Sequence, residues 1–309
     1  MKIEFVKYNK IYLMITLALV TLAIVAIGIW GLKLGIDFSG GTIIEYNLVG
    51  KPETKDVETK LQGTDKKIAK IIVAGDTYSL YFEPLKDTER DAIEAQIIKA
   101  YPSSKRVAVE TISSSVGVDQ SKSALLSILF ASIGIIIFLT ISFKKVTAPF
   151  KSWEFGVSAV LALLHDAIIV LGAFAILGHY FGAEIDLLFI TAILTVIGFS
   201  VHDTIVVFDR IRENVIKYGS LDYKTVVNNS LVETLARSIN LTVTTLLVLL
   251  ALFVLGPESL RWFLAALIIG MFSGTYSSIF VASQILILFQ PIKEKLKTLK
   301  IFKGKKKEK

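Results

Sequence analysis

Residues 187–208 read LLFITAILTVIGFSVHDTIVVF, a run in which His202 and Asp203 are the only ionisable side chains. Crossing the hydrocarbon core of a bilayer takes about 20 predominantly apolar helical residues. This stretch is long enough. The same test of length and charge, applied outward, selects residues 11–31, 123–143, 155–177, 237–255 and 263–289. The first of them runs into Trp30-Gly31-Leu32-Lys33 rather than a small-residue cleavage site, so it is expected to stay as an uncleaved signal-anchor. The expectation is a membrane protein with an all-α bundle of six transmembrane helices.

Composition agrees. The 309 residues are 53% apolar and 20% charged, with a mean hydropathy of +0.63; soluble domains average about 45–50% apolar and 25% charged. The absence of cysteine excludes disulfides, thiolate metal sites and thiol nucleophiles, and three histidines argue against a multi-histidine metal centre. The net charge of +7 is located in one place: from Pro291 onward there are nine Lys and two Glu. The rest of the chain is neutral, and the lysine tail is a solvated or lipid-facing segment. Nothing supports nucleic-acid binding.

Lysine and arginine in the short loops set the orientation of the spans. Residues 1–10 carry Lys2, Lys7 and Lys10, and the 144–154 loop carries Lys144, Lys145 and Lys151. The 209–238 loop carries Arg210, Arg212, Lys217, Lys224 and Arg237, and residues 290–309 hold the basic tail. The opposite loops, 178–186 and 256–262, contain only Arg261. Both termini are therefore expected in the cytoplasm, with residues 32–122 outside.

That long loop, with 13 basic and 14 acidic residues, is neutral and domain-sized. Thr42–Val49 is strand-like and Glu53–Leu61 is a short polar helix. Lys67–Ala74 and Thr77–Glu83 read as strands joined at Gly75-Asp76, a hairpin signal. Asp87–Tyr101 is an amphipathic helix with Ala92, Ile93, Ala95, Ile97 and Ile98 on its apolar side, capped by Asp87 or Thr88 and ended by Pro102. Lys105–Ile112 is a last strand. The order β-α-β-β-α-β predicts a small α+β ferredoxin-like extracytoplasmic domain, its two helices on one face of an antiparallel sheet.

Charges at membrane depth are costly and usually functional. The 155–177 span contains His165-Asp166 near its middle, and the 187–208 span contains His202-Asp203 near its cytoplasmic end. Both read His-Asp-x-Ile-x-Val on neighbouring, oppositely directed spans, a pattern an inverted repeat would leave. Two readings stand: a proton relay, or interhelical hydrogen-bond glue. Arg237, at the depth of Asp203, is the counter-charge, with Arg210 a possible second partner; the plain alternative for Arg237 is a positive-inside anchor. Gly270 and Gly274, with Thr275, Ser277, Ser278 and Ser283, give the last span a small face for helix packing. In Gly35–Thr42 the glycines read as a turn, and a strand follows where a phosphate site would need a helix.

Taken together, GIDFSGGTIIEY (Gly35–Tyr46), IGFSVHDTIVVFDRIREN (Ile197–Asn214), RSINLTVTTLLVLL (Arg237–Leu250) and GMFSGTYSSIFVAS (Gly270–Ser283) resemble the SecF branch of the SecD/SecF family of protein-export membrane proteins. The shorter SSSVG at Ser113–Gly117 fits as well, and the likeness runs in order over nearly the whole chain. The resemblance implies a bacterial cytoplasmic-membrane protein, related in architecture to resistance-nodulation-division exporters. It implies a heterodimer with SecD that assists the SecYEG channel, SecA and YajC in moving unfolded polypeptide, driven by the proton gradient; no cofactor, metal or catalytic residue is expected. The family's proton-linked aspartate falls on Asp203 and its essential arginine on Arg237. His202 departs from the family's usual asparagine, a titratable neighbour able to join the relay. Two other classes remain to be separated. One is a half-exporter of lipids or apolar small molecules, for which the loop domain is small. The other is a purely structural partner, in which the His-Asp pairs only pack. The loops assemble no nucleophile-base pair or metal set that would point to an enzyme.

Overall fold

The computed structural model describes residues 4–61, 68–143, 150–218 and 221–290. Lys2, Lys144, Lys145, the lysine tail and Lys67 lie outside the described residues. In chain order the elements are α1 (Asn9–Trp30), α2 (Ile36–Ser39), β1 (Gly41–Asn47), α3 (Thr54–Leu61), β2 (Lys70–Ala74), β3 (Thr77–Phe82), α4 (Asp87–Ala100) and β4 (Lys105–Ile112). Five longer helices follow: α5 (Ser114–Ser142), α6 (Ser152–Phe181), α7 (Leu187–Lys217), α8 (Tyr223–Leu255) and α9 (Arg261–Ser277). A π-turn at Ser278–Ala282 continues α9, which is helical again to Gln290. The chain divides into two compact units, one of residues 34–126 with Glu184–Leu187, the other of the remaining residues.

The first unit is a four-stranded sheet in the order β2-β3-β1-β4, antiparallel throughout. Alternation along the strands buries Thr42, Ile44 and Tyr46 of β1 and Tyr78, Leu80 and Phe82 of β3 on one face. Val57 and Leu61 of α3 and Ile93 and Ile97 of α4 join the same cluster, so both helices cover that face. The apolar side of α4 is narrower than expected: Ile93 and Ile97, one turn apart, are buried, whereas Ala92, Ala95 and Ile98 are exposed. At 100° per residue, position 98 has already turned away from the stripe defined by 93 and 97. Neither Asp87 nor Thr88 caps the helix. Lys86 occupies that position, and its amide donates to Glu89 Oε2 at 2.9 Å, leaving the acidic side chain to satisfy the helix start.

The glycine-rich stretch, expected as a turn, holds one turn of helix, α2. Gly40 follows it at φ +74°. A Cβ on Gly41 would lie 2.8 Å from Ile36 Cγ2 and 3.0 Å from the Phe82 carbonyl, which explains the second glycine. Within the same unit Gly35 N donates to Ile185 O at 2.8 Å, Leu187 N donates to Asp37 Oδ2 at 2.8 Å, and Lys70 Nζ pairs with Glu184 Oε1 at 2.6 Å.

The second unit is the helical bundle. Among the described residues six helices are long and apolar enough to cross a membrane. They differ in how far they are enclosed: 67% of the apolar window of α9 is buried, 50% of α7 and 44% of α6, against 11% for α5 and α8. The interior of the bundle is therefore α6, α7 and α9. Glycines set the tightest approaches. A Cβ on Gly172 of α6 would lie 2.4 Å from Ala23 Cβ of α1, and one on Gly270 of α9 would lie 2.3 Å from Val196 Cγ2 of α7. A core of Phe143, Phe155, Val207, Phe208, Leu231 and Leu286 fills one end of the bundle.

Candidate functional site

Where α6, α7 and α9 meet, the two intramembrane aspartates are both enclosed: Asp166 is 0% exposed and Asp203 is 3% exposed. Their neighbours on the chain diverge. His165 is buried with its Nδ1 3.1 Å from Asp166 Oδ1, and its Nε2 has no partner among the described residues. His202 is exposed, because successive side chains on a helix point about 100° apart, so it turns outward where Asp203 turns inward. The expected contribution of His202 to a relay at Asp203 has no contact to support it.

Hydroxyl groups, rather than cations, complete the two carboxylates. Asp166 accepts from Ser273 Oγ at 2.7 Å on Oδ1, and from Ser200 Oγ at 2.6 Å and Ser277 Oγ at 2.7 Å on Oδ2. Asp203 accepts from Ser238 Oγ of α8 at 2.5 Å on Oδ1 and from Ser278 Oγ on Oδ2. Beside them Thr242 and Thr275 share a hydrogen bond of 2.6 Å between α8 and α9. The result is a polar layer tying four helices together inside an apolar bundle. A buried polar group must be hydrogen-bonded or cost several kcal/mol, and here the partners, His165 apart, are small hydroxyl side chains that add no charge.

The arginines stand apart from this layer. Because α8 begins at Tyr223, Arg237 lies well inside that helix, and it is exposed with no hydrogen bond or ion pair among the described residues. It borders a groove of about 410 Å³ shared with Asp209, Arg210, Glu213 and Glu233. Arg210, expected as a partner of Asp203, instead bonds Glu233 Oε2 at 2.5 Å and Glu213 Oε2 at 2.6 Å. The reason is position: Arg210 lies near the polar end of α7, where two carboxylates are closer than the buried one. Gly270 and Gly274 sit on the α7 contact, a Cβ on Gly274 falling 3.0 Å from Ser200 Cβ. Their lack of side chains lets Ser273 and Ser277, one turn apart, reach Asp166.

Sequence reasoning missed the serines as a set. Ser273 and Ser277 are spaced i, i+4 and Ser200 precedes Asp203 by one turn, so helical periodicity could have drawn them onto the carboxylates. It also passed over Glu154. That residue is fully buried at the start of α6, where Oε2 accepts from the Lys151 amide at 3.0 Å and from Gln290 Nε2 at 3.3 Å.

Six bilayer-length helices around two hydroxyl-bound carboxylates, with a four-stranded βαββαβ unit between the first two, define a polytopic membrane protein with a polar centre. Residues 92–291 match the model of the protein export membrane protein SecD/SecF, C-terminal family, and residues 25–48 match the SecD/SecF GG motif. The protein translocase subunit SecF of Thermobaculum terrenum is 36% identical over 301 residues, covering 93% of this chain and 94% of that one. The SecF of Synechocystis sp. is 35% identical over 300 residues, 92% of this chain and 93% of the relative. The crystal structure of SecDF from Thermus thermophilus covers 94% of this chain with a TM-score of 0.81 at 30% identity. This chain spans 39% of that one, and 38% of the SecDF of Bacillus subtilis, to which it is 33% identical. The chain belongs to the SecF family. It is an accessory subunit of Sec protein export and a multi-pass protein of the bacterial inner membrane, and the SecDF chains support its association with SecD. The half-exporter reading is not favoured.

Proposed function

We propose that the chain, paired with SecD, uses the proton gradient to promote movement of unfolded polypeptide through SecYEG, with SecA and YajC as further partners and without catalysing a covalent reaction itself. Both termini lie in the cytoplasm and the βαββαβ unit faces outward on this reading, which the lysines and arginines of the short loops support. The observation that supports the reading best is Asp203: a buried carboxylate within a bilayer-length helix, held by two hydroxyls. Such a group takes up a proton without breaking an ion pair, since serine hydroxyls turn to accept as readily as they donate. Each elementary charge moved through the membrane potential is worth about 2.3 kcal/mol per 100 mV, enough to bias a conformational change. Arg237, exposed on α8 one residue before the Ser238 that bonds Asp203, meets the carboxylate in another state of the cycle on this reading. Asp166 and His165 form the second titratable pair.

The test is export into membrane vesicles with and without an imposed gradient. Asp203→Asn and Arg237→Ala are expected to remove the gradient-dependent part while leaving insertion and SecD binding intact. Full gradient stimulation with Asp203→Asn would show the residue to be structural.

A further inference from the structure

Ser277 and Ser278 are consecutive, yet they serve carboxylates on different helices. Ser277 Oγ donates to Asp166 Oδ2 of α6 at 2.7 Å, and Ser278 Oγ donates to Asp203 Oδ2 of α7. Ser200, one turn before Asp203 on α7, donates to the same Asp166 oxygen at 2.6 Å. These links close a ring: Asp166 to Ser200, along α7 to Asp203, across to Ser278, and through Ser277 back to Asp166. At this point α9 leaves regular geometry. Ser278–Ala282 is a π-turn, which holds one residue more than an α-turn and is found frequently at functional sites. Moving such a turn along a helix by one bond exchange rotates the residue it passes by about 100° and shifts it about 1.5 Å. Ser278 stands at its edge.

An ionised carboxylate only accepts, so both Ser238 and Ser278 point hydrogens at it. When Asp203 gains a proton, one of its oxygens becomes a donor and one serine hydrogen must turn elsewhere. Ser238 lies in the uninterrupted α8. Ser278 lies at the irregular turn and already has a second acceptor, the Thr275 carbonyl, at 3.1 Å. The yielding side is therefore α9. The other ionisable groups around the ring are Asp166 and His165 from α6 and Tyr276 from α9, whose hydroxyl is 3.3 Å from Thr16 Oγ1. His202 of α7 and Arg237 of α8 are exposed. Beyond the turn, α9 carries Gln290, bonded to the buried Glu154, so a change of register there reaches the start of α6.

Resting on the proton-carrying reading of Asp203, we propose that Ser278 is a positioning residue that pins the π-turn of α9 to the ionised carboxylate, and that the turn shifts along the helix when Asp203 is protonated. The chain lacks cysteine, so a single introduced one is its sole thiol. The experiment follows N-ethylmaleimide labelling of Ala282→Cys, a fully buried position, in vesicles holding the full chain with SecD. Labelling is expected to change when a gradient is imposed, to lose that change with Ser278→Ala, and to regain it with Ser278→Thr. Deleting Ile279, which removes the extra residue of the turn, is expected to leave insertion and SecD binding but abolish both the labelling change and gradient-stimulated export. If the deletion variant does not insert, the alanine and threonine pair decides. No labelling change in the parent, a change that survives Ser278→Ala, or full gradient stimulation in the deletion variant overturns the proposal. Asp203→Asn separates the two levels. A labelling change that survives it defeats the proton reading, whereas one lost there but kept in Ser278→Ala defeats only the pinning.

Discussion

Asp166 and Asp203 are alike in type and burial but not in wiring. Three serine hydroxyls and a histidine nitrogen converge on Asp166, and two hydroxyls on Asp203. Interhelical hydrogen bonds in membranes are worth on average about 0.6 kcal/mol each and at most about 1.7. Replacing Asp166 by leucine is therefore expected to destabilise the bundle by about 2 kcal/mol and replacing Asp203 by about 1. Thermal unfolding of the two variants in detergent checks the order; a larger loss for Asp203→Leu would mean that bonds to these serines are not what holds the helices together. The aspartates themselves were legible in the sequence because a carboxylate in an apolar run is conspicuous. Their partners were not, because a serine in a membrane helix reads equally well as a small packing residue, and Ser277 also bonds the Gly274 carbonyl of its own helix at 3.1 Å. Only the rotation of one helix against another decides which role it takes.

At the level of elements, α7 and α9 approach so closely at Gly270 that a methyl group has no place. A Cβ there would lie 2.3 Å from one Val196 methyl carbon and 2.7 Å from the other. Gly270→Ala is expected to cost about 1–3 kcal/mol, as overpacking in a filled interior does. Adding Val196→Ala should recover part of it, the remainder reflecting the 3.0 Å left between the two Cβ atoms. A double-mutant melt measures this, and no recovery would place the strain elsewhere. Spans and strands were legible because bilayer length and strand alternation are periodic signals. Helix ends were less so: α7 runs past Phe208 to Lys217 and α8 begins at Tyr223, since helices continue into the polar region wherever Asn214 can bond Ser230 at 3.0 Å across the pair. The π-turn had no periodic signature in Ser278–Ala282 at all.

Among the described residues the bundle and the sheet are packed separately, an aromatic-rich cluster filling one end of the bundle and a cluster of Ile44, Tyr46, Leu80, Ile93 and Ile97 lying under the sheet. The chain's likeness to SecDF supports association of the bundle with SecD in a larger membrane assembly. On its own the bundle presents His202 of α7 and Asn240 of α8 at its surface, inside helices otherwise suited to hydrocarbon. Polar groups turned to lipid are costly, and each becomes inexpensive once another polypeptide covers it. Synthesis in excess of SecD therefore leaves an orphan whose mismatch with the bilayer marks it as unassembled. Pulse-chase of the chain with and without co-expressed SecD is expected to show faster turnover of the orphan, with equal half-lives arguing otherwise. Subunit stoichiometry would then be enforced by the lipid itself, through selective loss of whichever copies never found a companion.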